Sequence, residues 1–147
     1  MNATGRGEPA GEVRCGRPFQ LPASAPLRLA GRFPDSVPAG QRTVSGIVEV
    51  TSREAVRGVA APAADVFVLR ERRVVTTPLV QDAIGIQWEL AAGETRRVPA
   101  MASLVSCERH GEPLPPGRYE LYARMVLAPD DGVARRAFGG PWPLRVQ

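Results

Sequence analysis

His110 is the only histidine of the chain, and it lies in "SCERHGEP" (106–113) beside Cys107 and Glu108. A thiolate next to an imidazole is the pairing of a cysteine nucleophile, and Cys, His and Glu are all metal ligands. Nucleophilic catalysis needs a third group to orient the base, and a zinc site needs further ligands. Neither stands nearby in sequence, so the plainer expectation is an exposed turn histidine beside a disulfide. Asp130 and Asp131, in "PDDG", offer carboxylates of the kind calcium takes. Two acids do not fill its coordination sphere, and Asp-Asp-Gly is an ordinary hairpin turn. The Gly139-Gly140 pair has neither a lysine nor a following helical pattern, so it is no phosphate loop. No Gly-x-Ser-x-Gly elbow is present. The expectation is therefore a chain without catalysis, cofactor or metal.

Two cysteines remain, Cys15 and Cys107. No Cys-x-x-Cys pair exists, which speaks against zinc and thioredoxin-like chemistry. They are either buried thiols or one disulfide. The disulfide is favoured, because Cys15 sits in a Gly/Arg/Pro stretch with little else to anchor it. A bridge would close a loop of roughly 90 residues, worth about 4–5 kcal/mol in the chain-entropy model, and would imply an oxidising compartment.

A chain of 147 residues suits one domain with a real core. Aromatics make up only 5%, so that core must be mainly aliphatic. The net charge is +4, which raises the question of nucleic acid. Every cation is arginine, and the sequence has a single asparagine, Asn2. That bias is what GC-rich codons produce, as in an actinobacterium. The arginines are dispersed among acids, without interleaved aromatic platforms, so nucleic-acid binding is not expected. No apolar run reaches the length of a membrane helix, and no apolar leader opens the chain.

Prolines and glycines divide the sequence into short extended pieces. Residues 1–14 are polar and aperiodic, and read as a disordered tether; 15–147 read as the folded domain. "PLRLAG" (26–31) is an edge strand. In "RTVSGIVEVTS" (42–52), Val44, Val48 and Val50 alternate with polar residues, with Ile47 as the exception. "REAVRGVAAPAA" (53–64) has room for a turn or two of helix, which Gly58 and Pro62 would limit. "DVFVLRERRVVTTPLV" (65–80) is a hairpin interrupted by charge. "GIQWEL" (85–90) and "TRRVPAMASLVSC" (95–107) are strands, with Pro99 marking an edge or bulge. The strongest strand follows "EPLPPG" (112–117). There Tyr119, Leu121, Ala123, Met125 and Leu127 point one way, and Arg118, Glu120, Tyr122 and Arg124 the other. This strand is expected at the centre of the sheet. "GGPWPLRVQ" (139–147) closes the chain with a strand anchored by Trp142. The total is eight or nine strands and essentially no helix, which reads as an antiparallel sandwich.

Three features resemble bacterial immunoglobulin-like sandwich modules of secreted proteins and lipoproteins. They are the early strand "TVSGIVEVTS", the strand and turn of "WELAAGET", and "PLPPGRYELYA". Many such modules carry a Pro-Gly-x-Tyr corner like Pro116-Gly117-Arg118-Tyr119. The resemblance implies that the turn sets the sheet crossing and that the Tyr119 hydroxyl bonds back to the loop. Residues 41–127 are also similar in pattern to the Bacillus intracellular proteinase inhibitor family, itself Ig-like. Cys107 precedes Tyr119 instead of following it by two residues, so a Cys15–Cys107 bridge departs from the antibody pattern.

The expected function is that of a non-catalytic, extracytoplasmic Ig-like module. It would bind a protein or cell-envelope partner, or play a structural part there. Aromatic and arginine side chains are enriched at binding hot spots, so the face bearing Arg118, Glu120, Tyr122 and Arg124 is the candidate partner surface. Trp88 and Trp142 are expected in the core. The alternative is a proteinase inhibitor acting through "VPAGQ" (37–41) or "EPLPPG".

Overall fold

Valine-rich alternation and proline punctuation leave this chain little choice but extended backbone, and the computed structural model is all-β. It describes residues 10–23, 26–81, 84–130 and 132–147, and no helix occurs among them. The tether expected over 1–14 falls largely on residues 1–9, outside the described residues. The described residues form ten strands: β1 (Leu27–Arg32), β2 (Ser36–Val37), β3 (Thr43–Ser52), β4 (Val56–Ala60), β5 (Ala64–Arg70), β6 (Arg73–Thr76), β7 (Ile86–Leu90), β8 (Thr95–Ser103), β9 (Gly117–Pro129) and β10 (Arg135–Val146).

The strands join in one sheet in the order β1-β3-β8-β5-β9-β10-β2. β6 extends from β5, while β4 pairs with the end of β9 and carries β7. β9 is central, as its pattern predicts, with β5 on one side and β10 on the other. The sheet curls until β1 lies against β10. A Cβ at Gly31 would stand 2.5 Å from the Trp142 ring, so only glycine permits that approach.

The expected sheet needs correction, and stretches without an assignment gain strands. The sheet is mixed rather than purely antiparallel. β5 runs parallel to β8 at Ala64↔Ala100 and Asp65↔Met101, and β2 runs parallel to β10 at its end. β8 spends one edge entirely on β3, and its other edge receives the start of β5. "REAVRGVAAPAA", which has room for little helix, holds β4 and the first residue of β5. Gly58 lets the end of β9 pass close by, since a Cβ there would meet the Ala128 carbonyl oxygen at 2.4 Å. β2 lies in the proline-bounded stretch 32–41, where a two-residue strand beside Pro38 has no periodicity to show. Pro99 pairs with Ile47 without a bulge, where the other edge of β8 is not reached by β5.

The core is aliphatic as composition demands. Val44, Val48 and Val50 of β3, Val66 and Val68 of β5, and Tyr119, Leu121, Ala123, Met125 and Leu127 of β9 are all buried together. Fully burying one such side chain contributes about 1.5–3 kcal/mol. Trp88 is 1% exposed within this core, and half-buried Trp142 stacks on Phe33 at its margin.

Candidate functional site: an aromatic nest beneath a fastened arm

β5 departs from simple alternation, because Val66 through Leu69 are all buried. Val66 and Val68 face the core. Phe67 and Leu69 project from the opposite face, which ought to be wet. They are buried by residues 10–23, which form an arm laid over that face.

The arm is pinned in three ways. Cys15 and Cys107 are joined by a disulfide, with Cα atoms 6.0 Å apart. Backbone hydrogen bonds dock the arm on the outer edge of β6: Gly16 N donates to Val74 O (2.8 Å), Val74 N to Arg17 O (3.0 Å) and Phe19 N to Arg72 O (3.2 Å). Phe19 itself drops into a nest of rings. It meets Phe67 at 4.9 Å and Tyr122 at 5.1 Å, both edge-on, and Phe138 at 5.7 Å. Phe67 and Tyr122, paired across β5 and β9, stack on each other. Such ring pairs add about 0.5–1.5 kcal/mol beyond their buried area. Gly11 is buried and donates to Gln20 O, so the ordered arm begins before Cys15.

This geometry sets the surroundings of the expected partner face. Arg118 is exposed, and Glu120 is half-buried. Tyr122 points away from the main core and is half-buried, packed against Phe19. Burial raises the Tyr122 phenol above its usual range, and the neighbouring Glu120 carboxylate adds to that. Arg124 is engaged by Asp65 at 2.9 Å, and Gln81 donates to the other Asp65 oxygen at 2.7 Å. The missing signal was Phe19, which the sequence leaves in an unassigned extended stretch.

The turn at the head of β9 is the second organised region. The Tyr119 hydroxyl donates to Pro115 O and accepts from Arg70 Nη1 at 3.1 Å, while the Arg70 guanidinium lies 5.1 Å from the ring centre. Burial raises the Tyr119 phenol, and the Arg70 charge partly opposes it. Gly117 has φ of 153°, a value that side-chain-bearing residues rarely adopt. A cleft of about 310 Å³ opens beside this corner, flanked by Arg109, Glu112 and Pro113. In "EPLPPG", Leu114 is buried and its N–H donates to Leu104 O, while Glu112, Pro115 and Pro116 are exposed. In "VPAGQ", Val37 is buried and pairs with Val146, leaving Pro38–Gln41 as an exposed turn.

The candidate chemistry disperses. Cys107 is bonded to Cys15, so it offers no thiolate to His110, which is exposed in its turn. Asp130 faces Arg57 at 4.0 Å, and Asp131 lies outside the described residues. Among the described residues, no three His, Cys, Asp or Glu side chains converge as metal ligands. A groove of about 450 Å³ runs between Glu54–Arg57, Leu127 and Arg135, with a mixed polar and apolar lining.

No protein family's pattern matches the chain, and no curated protein matches it. Crystal structures of a β-glucosidase from Listeria innocua are similar to it at 14% identity. The TM-score is 0.43 for a mutant bound to laminaribiose and 0.42 for the enzyme bound to isofagomine. The likeness covers 82% of this chain but 16% of theirs, and at that level it carries no activity across.

Proposed function

We propose that this chain is a non-catalytic, extracytoplasmic Ig-like module, acting as a binding or structural part of a secreted protein or lipoprotein. The observation that carries the reading is the Cys15–Cys107 bridge, because such bonds persist in oxidising compartments. The Tyr119 corner supports the Ig-like assignment. A tyrosine at the start of a strand whose hydroxyl returns to the backbone a few residues upstream is a hallmark of those sandwiches. The partner is a protein or another envelope component.

Fractionation of the source cells with an antibody to the chain tests the compartment. The expected result is recovery in the medium or envelope, with no titratable thiol in the denatured, unreduced protein. Recovery in the cytosol with two free thiols would overturn the reading.

A further inference from the structure

The main core contains no residue before Leu27, whereas the nest closes only with Phe19 in place. The arm is therefore an occupant of the sheet and not part of its foundation. What it occupies has the parts of a strand-acceptor site: a strand edge offering Val74 N, Val74 O and Arg72 O, and a pocket of Phe67, Tyr122 and Phe138 for one side chain. Addition of an extended peptide to a sheet edge uses those two elements, main-chain bonds for affinity and a side-chain pocket for specificity. Deepening the binding-module reading above, we propose that the outer edge of β6 and its aromatic nest form a peptide-binding site. It is held closed in cis by the arm and opened by reduction of Cys15–Cys107.

The occupant that fits is an extended peptide with a bulky aromatic at the position of Phe19. It needs a glycine where the chain passes Glu108, because a Cβ at Gly16, whose φ is 77°, would sit 3.0 Å from the Glu108 carboxylate. A tethered occupant enjoys an effective concentration that a free peptide cannot match, so the site stays closed while the bridge holds. Cys15 is exposed and Cys107 half-buried, which leaves the bridge open to attack. A dithiol reductant attacks one sulfur and then closes on itself. The bridge takes up two electrons and two protons to give two thiols, and the reductant leaves as its own disulfide.

The test uses the full chain and a labelled peptide spanning Val13–Leu21 with Cys15→Ser. The oxidised chain is expected to bind it at least roughly a hundredfold more weakly than the dithiothreitol-reduced Phe19→Ala chain, whose own anchor is gone. Replacing the peptide's phenylalanine by alanine should abolish binding. Amide exchange is read in parallel. Reduction should speed exchange at Gly16, Phe19 and Val74 while Val68 and Leu121 stay protected. Equal binding by both chains, no binding by the reduced chain, unchanged arm amides, or joint loss of arm and core protection would each overturn the proposal. Cell fractionation is indifferent to all four results, so the compartment reading and the peptide site fail separately.

Discussion

The two apolar clusters of this molecule lie on opposite faces of the same strands and are held by different means. The larger one, around Val48, Val66, Trp88 and Leu121, is aliphatic and is contributed by nearly every strand. The smaller one, around Phe67, Leu69 and Val74, is rich in aromatics and is closed from one side by the arm, through Phe19 and half-buried Val13. Sheet hydrogen bonds and burial reinforce each other in the first. In the second, a short arm gains two backbone bonds to β6 and one to the turn before it, and is fastened covalently. The number of chain segments a cluster recruits decides whether it supports itself or needs a staple.

The largest expected break is in the core. Trp88→Ala should cost about 3–5 kcal/mol in urea unfolding, because the cavity cannot be filled by a curled sheet held on all sides. A cost comparable to that of an arm variant would erase the distinction between the clusters. Next is the staple: Cys15→Ser with Cys107→Ser should cost about 2–4 kcal/mol and lower Tm by roughly 5–15 °C in calorimetry. Phe19→Ala should cost about 1.5–3 kcal/mol. Its near-ultraviolet dichroism should lose the signal of the ring nest, while far-ultraviolet dichroism remains that of a β protein. Tyr119→Phe, at the corner that ties β9 to its own turn, should cost about 0.5–1.5 kcal/mol. A neutral result there would mean the ring alone positions the turn.

The smallest effect is alkaline. The Tyr119 and Tyr122 phenols are both raised above 10.0, chiefly by burial. Above pH 10 the unfolded chain therefore gives up protons that the folded chain keeps, and stability falls as pH rises through that range. Well below pH 10 both phenols stay protonated in either state and contribute no pH dependence. Tyr122→Phe should flatten the decline measured between pH 9 and 11.

Local periodicity carried much of this architecture. Alternation in β3 and β9, the charged break between β5 and β6, and the isolated triplet Ile86, Trp88, Leu90 were all legible, because half-buried strands declare themselves by period. The hairpin turn falls at Glu71 and Arg72, both with positive φ. β4 was not legible: its Gly58 serves a close approach by β9, and that partner lies about seventy residues away. The parallel contacts of β5 with β8 and β2 with β10 have no sequence signature, since period does not name a neighbour. The disulfide could be argued from the lack of other anchors near Cys15. The burial of Tyr122 could not, because its alternation correctly places it off the core and says nothing of an arm arriving from a hundred residues upstream.

The bridge also rewrites the path of a mechanical load. Tension applied ahead of Cys15 passes through the sulfurs into Cys107 and on to β9, by-passing β1 through β8 altogether. The 91 residues between the two cysteines then lie outside the covalent load path, and extension acts first on β9 and β10. Cutting the bond would place those residues in series and release about 300 Å of contour length. The oxidised chain is thus a short, stiff link, and the reduced chain a long, compliant one.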